Sequence, residues 1–245
     1  MEQEFIKGEW DVRGIPNDDA KEWILYKHYA HRMPSITYAF GLFRIGGGQI
    51  SPSLQGICTF GHPVASTLVK NSFQGQYQDK FYELNRLCVN DGLPRNALSF
   101  FVGQCLQMLP RPMVIVSYAD SGQNHHGYIY QATNWYYTGL SVPFKDYMIR
   151  GCENMHSASI MDSVGRSDGE LGHLDKVKLL KEKFGEENIY MVERSRKHRY
   201  FYFLGSKTER KKMRSLLIYK REPYPKGDNI RYDASYEVSP NLTLF

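Results

Sequence analysis

The sequence predicts an α/β fold, in which a mixed sheet carries helices on both faces and a basic segment follows at the C-terminus. Near the N-terminus, the strand-like runs 36–43 and 55–60 are separated by a stretch with glycines and a proline, a pattern typical of a hairpin with a long loop. Between residues 83 and 135, strand-like and helix-like patterns alternate. This alternation indicates a βαβ unit with two parallel strands, so the hairpin makes the sheet mixed.

The overall composition limits the class of protein. A length of 245 residues allows one large or two small domains. The net charge is +5, and the positive excess lies near the C-terminus. The four cysteines lie far apart without a Cys-x-x-Cys pair, which argues against a zinc ribbon or a disulfide scaffold and fits a reducing compartment. Since no apolar stretch reaches secretory or membrane-spanning length, we expect a soluble cytoplasmic protein without membrane contact.

The βαβ unit can be placed from its apolar periodicity. Residues 83–89 alternate as a strand, and residues 99–109 carry apolar side chains at helical spacing before Pro110. Residues 113–116 are a continuous apolar run typical of a buried strand, and residues 129–135 return to near-helical spacing. A polar loop that contains Asp120 joins the last two elements.

The character of the chain changes near residue 151. A stretch rich in Ser, Asp and Gly is followed by a charged helix at 174–184 and then by an aromatic and basic block. We therefore predict a catalytic domain over residues 1–150 and an appended module over residues 151–245.

Asp120 and Tyr130 are the best candidate pair for chemistry. Asp120 follows a strand at the edge where open α/β sheets hold their ligands. It suits a general base, an acceptor that orients an amine, or a metal ligand; the alternative is a helix N-cap. Tyr130, on the next helix, suits a general acid or a ligand. His125 and His126, in the loop between them, are more typical of solvent-facing side chains.

The turn before the helix at 99–109 is a candidate site for a phosphate-bearing donor. A helix N-terminus offers unpaired N–H groups and the positive end of the dipole. Arg95 and Asn96 lie in this turn, and the Ser99 hydroxyl could donate a further bond. The alternative is an ordinary cap beside a surface arginine. No glycine separates Arg95 from Ser99, although close approach of backbone to phosphate normally uses one, and this leaves the identity of the donor open.

Two further motifs carry candidate functional residues. Glu83 and Arg86 are three apart, which predicts opposite faces of a regular strand. An arginine among apolar neighbours needs an anionic partner, either a ligand or a carboxylate. His28 and Tyr29 can supply a nitrogen and an oxygen ligand to iron or zinc, although such a pair is more often structural.

The block from residue 193 to residue 214 predicts contact with nucleic acid. It contains a strand-like run at 200–204 and a helix-like basic run at 209–214, with only two acidic residues. Unbalanced positive charge with interleaved aromatic residues is typical of a surface that binds phosphates and exposed bases. The alternative interpretation of this block is a solvated charged face. The candidate DNA-binding residues are Arg194, Arg196, Lys197, Arg199, Lys207, Arg210, Lys211 and Lys212.

Together these pieces resemble the Mom family of phage DNA-modification proteins. The resemblance rests on Lys27-His-Tyr29, on Glu83-Leu-Asn-Arg86 with the turn up to Ser99, and on Tyr118-Ala-Asp120 with Gly127-Tyr-Ile-Tyr130, and it covers about residues 23–140. The run from Ile129 to Trp135 also resembles the end of the GCN5-related acetyltransferase fold, with Asn134 and Trp135 in place of Gly and Phe.

The resemblance implies a GCN5-related N-acetyltransferase-like fold and the transfer of a carbamoylmethyl group to adenine N6 in double-stranded DNA. Such modification masks phage DNA from restriction in the infected host. It also implies functional positions at His28, Tyr29, Asp120 and Tyr130, which would include the ligands of an iron ion. Arg86 and Ser99 would face a coenzyme-A-like acyl donor. The alternatives are a conventional acetyl-CoA-dependent N-acetyltransferase acting on a protein or small amine, and a non-catalytic DNA-binding phage factor.

Overall fold

The computed structural model describes residues 4–46, 52–153, 155, 157–165 and 172–227. They form two compact units, one built from the chain before residue 141 and after residue 196, the other from residues 141–196. This division differs from the predicted boundary at residue 150. The reason is that the aromatic and basic run after residue 196 forms a strand inside the main sheet instead of a separate module.

The first unit contains a seven-stranded mixed sheet. Its strands are β1 (Trp10–Gly14), β2 (Tyr38–Arg44), β3 (Ser53–Gly61), β4 (Phe81–Val89), β5 (Met113–Asp120), β6 (Tyr136–Leu140) and β9 (Lys197–Leu204). They lie in the order β1-β2-β3-β4-β5-β9-β6. β4 and β5 are parallel and the other neighbours are antiparallel, which confirms the predicted mixed sheet and the parallel pair.

Helices cover both faces of this sheet, as predicted. They are α1 (Asn17–Glu22), which continues into a π-helical turn (Trp23–Lys27), α2 (Ser66–Ser72), α3 (Ala97–Met108), α4 (Tyr128–Ala132) and α7 (Lys207–Leu216). One face packs against α3 and α4 in a core that includes Phe101 and Tyr130. The opposite face packs against α2 and α7 through Leu68 and Met213, and against α1 through Ala20. Burial of a large side chain in such a core stabilises the fold by roughly 1.5–3 kcal/mol.

The sheet opens between β4 and β5. Their ladder runs only from Phe81–Val114 to Glu83–Val116. Beyond it, β4 contains a bulge: Leu84 pairs with Phe60 and Arg86 with Thr59, so Asn85 is the extra residue. Its side chain accepts a hydrogen bond from the Thr59 hydroxyl at 2.6 Å and donates one to Ser35 O at 2.8 Å.

The bulge corrects one prediction about side-chain direction. Glu83 and Arg86 pair with Gly61 and Thr59, two residues apart on β3, so they point to the same face. The predicted opposite orientation assumed a regular strand, and the inserted residue changes the alternation.

The second unit has a small core of its own. β7 (Phe144–Ile149) pairs antiparallel with β8 (Ile189–Arg194), and α5 (Ser157–Asp162) and α6 (His173–Phe184) complete the unit. Ile149, Ile160 and Leu180 are buried together. α6 confirms the predicted charged helix. Every helix in the described part of the chain is too short or too polar to cross a membrane.

Candidate active site

One cavity of about 600 Å³ lies at the opening between β4 and β5. Its walls contain all four residues predicted for catalysis and all four predicted for the donor: His28, Tyr29, Asp120, Tyr130, Arg86, Arg95, Asn96 and Ser99. The structure therefore brings together residues that are spread over about a hundred positions of the sequence.

The cavity has two chemically different sides because side chains of β4 and β5 alternate between the faces of the sheet. The side toward α3 and α4, called here the apolar side, is formed by Leu84, Leu87, Leu98, Ile129 and Tyr130. The side toward α2 and α7, called here the charged side, is formed by Glu83, Arg86, Tyr118, Asp120 and Lys197.

His28 presents a neutral imidazole to the cavity. Its Nδ1 accepts a hydrogen bond from the Ala30 amide at 3.1 Å, so the ring proton lies on Nε2. Burial and, to a smaller extent, the positive charge of Arg86 lower the pKa of His28 to about 3. The ring is therefore a hydrogen-bond donor at neutral pH rather than a cation.

Tyr29 stacks on His28 with 4.5 Å between ring centroids, and it meets His125 edge to face with 6.2 Å between ring centroids. It keeps 38% of its surface exposed. Burial of the rest raises the pKa of Tyr29, and the negative charge of Asp120 raises it further. The phenol is therefore protonated at neutral pH.

Asp120 fills one of the roles that the sequence left open, the helix N-cap, and also lies beside a lysine. One carboxylate oxygen accepts the Gly122 amide at 2.9 Å, which caps the short 3-10 turn Ser121–Gln123. The other lies 3.8 Å from Nζ of Lys197. Lys197 was predicted to bind DNA, yet it lines the cavity, because β9 starts beside the end of β5.

Glu83 is a candidate functional residue to which the sequence analysis assigned no functional role. Burial on the charged side raises the pKa of its carboxyl group to about 7, while Lys197 and Arg86 lower it. A carboxyl group that titrates near neutral pH suits a general base. The motif Glu83-Leu-Asn-Arg86 contained the signal, but the expected regular alternation separated Glu83 from Arg86.

Arg86 holds the loop that carries His28 and Tyr29. Its Nε and Nη2 donate to Arg32 O at 3.2 and 2.7 Å, and its Nη1 donates to Asn85 O at 2.7 Å. Backbone carbonyls thus take the place of the anionic partner that the sequence predicted. This loop can lie close to the end of β3 only because residue 61 is glycine, since a Cβ at Gly61 would lie 1.8 Å from Ser35 O.

Tyr130 lies in the core at the bottom of the apolar side. It is 7% exposed, and its ring contacts Trp135 and Tyr200 with centroids 5.0 and 5.1 Å away. Its hydroxyl lies 2.7 Å from Oγ of Ser117. Burial raises the pKa of Tyr130, so the phenol is protonated and can donate a proton.

The N-terminus of α3 opens onto the apolar side. Asn96 precedes the helix in a left-handed conformation with φ of 75°, and the amides of Leu98 and Ser99 lie in its first turn, where N–H groups have no intrahelical acceptor. Arg95 adds positive charge. The Ser99 hydroxyl donates to Asn96 O at 3.0 Å, so the anion-binding potential of this turn lies in its amides and Arg95.

Apart from Lys197, the predicted DNA-binding residues fall into two groups. Arg194 forms a paired salt bridge with Asp146 at 2.7 and 2.9 Å, and Arg196 donates to Ser141 O at 2.7 Å, both within the second unit. Arg199 donates to the Thr138 hydroxyl at 3.0 Å and lies 3.6 Å above the ring of Tyr219. These three arginines therefore have structural contacts.

The second group lies on α7, which confirms the predicted basic helix. Ser206 caps it and Glu209 completes a capping box, while Met213 is buried against the sheet. The members of the predicted set on α7 are Lys207, Arg210, Lys211 and Lys212, and all four face solvent.

The four residues proposed to hold iron do not fit a single ion in this structure. Tyr130 bonds Ser117, whereas Asp120 lies three residues farther along a regular strand and points to the opposite face. Three residues span roughly 10 Å of strand, while two ligands of one ion must lie within a few ångströms of each other. In addition, a ligating histidine normally donates its second ring N–H to a neighbour, whereas Nδ1 of His28 accepts. Within the described residues, no three His, Cys, Asp or Glu side chains form a group that could hold a metal ion.

The opened sheet and its two-sided cavity define an α/β protein with a cavity of the size that small molecules occupy. The model of the Mom protein family matches residues 9–226, and the chain belongs to that family. It is also similar to the protein named methylcarbamoylase mom of Escherichia phage Mu, with 25% identity over 220 residues that cover 84% of this chain and 80% of the relative.

Proposed function

We propose that this protein is a phage-type DNA modification enzyme that transfers a carbamoylmethyl group to adenine N6 and so protects DNA from restriction in the host cytoplasm. The observation that carries the proposal is the convergence of His28, Tyr29, Asp120 and Tyr130 in one cavity of a Mom family member. The similarity to a methylcarbamoylase supports the nature of the transferred group.

The charged side suits the acceptor amine. The N6 amine is conjugated with the adenine ring and is weakly nucleophilic, so it needs help to lose its proton as the new bond forms. Glu83, whose pKa is about 7, is the candidate base. Asp120 would orient the amine by accepting one of its N–H groups. Lys197 and Arg86 keep this side electrically balanced while the proton moves.

The apolar side suits the donor. Leucine and isoleucine side chains form its walls, and the first turn of α3 with Arg95 would bind an anionic group such as the phosphates of a coenzyme-A-like molecule. Tyr130 lies on this side and would donate a proton to the leaving group. General acid catalysis of this kind contributes about 10²- to 10⁴-fold in rate.

The four solvent-facing cations of α7 suit the DNA backbone. Phosphate contacts of this type give affinity that falls steeply with salt. In a duplex, N6 is paired and faces the major groove, so the adenine must leave the stack to enter the cavity, at a cost of a few kcal/mol. Phosphate binding would offset this cost.

The test is to express the protein in bacteria, digest plasmid DNA and analyse the nucleosides by mass spectrometry. We expect a deoxyadenosine product heavier by one carbamoylmethyl group. Asp120→Ala should abolish the product and Tyr130→Phe should slow its formation about a hundred-fold, and both variants should retain DNA affinity. Only unmodified deoxyadenosine from cells that contain the folded protein would contradict the proposal. Turnover of acetyl-CoA with an amine in the absence of DNA would favour a conventional N-acetyltransferase instead.

A further inference from the structure

Ser117 lies at the point where β4 and β5 separate. The last pair of their ladder is Glu83 and Val116. Beyond this pair, a side chain replaces the backbone hydrogen bonds between the two strands, since Oγ of Ser117 lies 2.8 Å from Leu84 O. Ser117 is 1% exposed, so its hydroxyl is bonded within the protein.

The same oxygen lies 2.7 Å from the hydroxyl of Tyr130. A serine hydroxyl has one proton, and a carbonyl can only accept. In one arrangement Ser117 donates to Leu84 O and accepts from Tyr130. In the other, Ser117 donates to Tyr130, and the phenolic proton is free to point into the cavity. Rotation of both hydroxyl groups exchanges the two arrangements.

We propose that Ser117 is a positioning residue for Tyr130, which holds the phenol in place and donates to its oxygen when the phenolic proton is transferred. This inference rests on the proposed function. In the transfer step, N6 forms a bond to the carbon of the donor and releases its proton to Glu83. The bond from that carbon to the leaving atom breaks, and the leaving atom takes its electron pair and the proton of Tyr130. The proton of Ser117 stays on Ser117 and turns from Leu84 O to the phenolate.

The geometry favours this role over a purely structural one. A serine that only satisfied the Leu84 carbonyl would need no second partner. The Tyr130 hydroxyl is buried on the apolar side of the cavity, and Oγ of Ser117 is its hydrogen-bond partner there. A hydrogen bond to a charged oxygen is worth more than one to a neutral oxygen, so the contact becomes stronger as the phenolate forms.

The experiment compares Ser117→Ala, Tyr130→Phe and the double variant by the initial rate at which plasmid adenine is modified after induction. We expect about a hundred-fold loss for Tyr130→Phe, as for a general acid. Loss of one hydrogen bond to the phenolate should slow Ser117→Ala about ten-fold. Because Ser117 acts through Tyr130, the double variant should be no slower than Tyr130→Phe.

A matched pair of larger residues separates the hydroxyl from packing. Ser117→Thr and Ser117→Val add similar volume, and only threonine keeps the hydroxyl. Recovery of activity in Ser117→Thr over Ser117→Val, with equal melting temperatures, supports the proposal. Unchanged activity in Ser117→Ala, or a further ten-fold loss in the double variant, overturns it while leaving the proposed function intact. Absence of product from the wild-type protein overturns both.

Discussion

Glu83 makes the folded protein less stable at high pH, and the size of this effect can be worked from its environment. An ordinary glutamate has a pKa of 4.5, and burial raises that of Glu83 to about 7. Between these values the folded state binds a proton that the unfolded state has released, so stability falls as pH rises and is constant above about 7. Since one pKa unit corresponds to about 1.4 kcal/mol, the full loss is at most about 3.5 kcal/mol.

Glu83→Gln removes this dependence, because glutamine is neutral at every pH. The variant should match the wild type near pH 4.5 and exceed its stability by up to about 3.5 kcal/mol at pH 8, as measured by urea unfolding. The exposed Glu22→Gln is the matched control and should change neither value. In the modification assay, the wild type should gain activity as pH rises through about 7, and Glu83→Gln should lose at least about 10²-fold. A stability difference between wild type and variant that is the same at both pH values would refute this reasoning.

Three further predictions concern other parts of the molecule. Alanine at the four exposed cations of α7 should weaken DNA binding and reduce the slope of log K against log salt by up to about 3–4; an unchanged slope in a fluorescence titration would place the DNA elsewhere. Gly127→Ala should destabilise the protein by about 2 kcal/mol or more in thermal unfolding. The reason is that φ at this position is 75° and the new Cβ would lie 2.5 Å from the ring of Tyr200. A variant as stable as the wild type would contradict this close contact between residue 127 and Tyr200. Tyr130→Phe purified without oxygen should contain as much iron as the wild type by elemental analysis, since Tyr130 and Asp120 point to opposite faces of the sheet and cannot share one ion. Loss of iron in this variant alone would show that Tyr130 is a ligand and contradict this conclusion.

The order of the central elements could be predicted because their patterns are local. The continuous apolar run at the start of β5 and the helical spacing of α3 have few alternative interpretations. The hairpin of β2 and β3 and the basic helix α7 were recognisable for the same reason. Strand β1 and the small strands β6, β7 and β8 were not predicted, because short segments with mixed polarity carry little periodic signal.

The parts of the site that could not be predicted depend on long-range or irregular structure. The bulge at Asn85 brings Glu83 and Arg86 to one face of the sheet. A single inserted residue of this kind cannot be recognised from the alternation of polar and apolar residues in the sequence. Lys197 enters the cavity because β9 pairs with β5 across nearly eighty intervening residues. Ser117 looked like one polar residue at the end of an apolar run, and its contact with Tyr130 depends on how α4 packs on the sheet.

The central position of β9 has a consequence for synthesis of the protein on the ribosome. In the described sheet, β6 pairs only with β9, and β9 also covers the edge of β5. Until residue 204 has left the exit tunnel, β5 presents an open edge and β6 has no neighbour, although both have long been made. Exposed edges of this kind favour pairing between chains. A nascent or truncated chain that stops before residue 197 should therefore aggregate or need chaperones, because β9 (Lys197–Leu204) completes both the sheet and the charged side of the cavity.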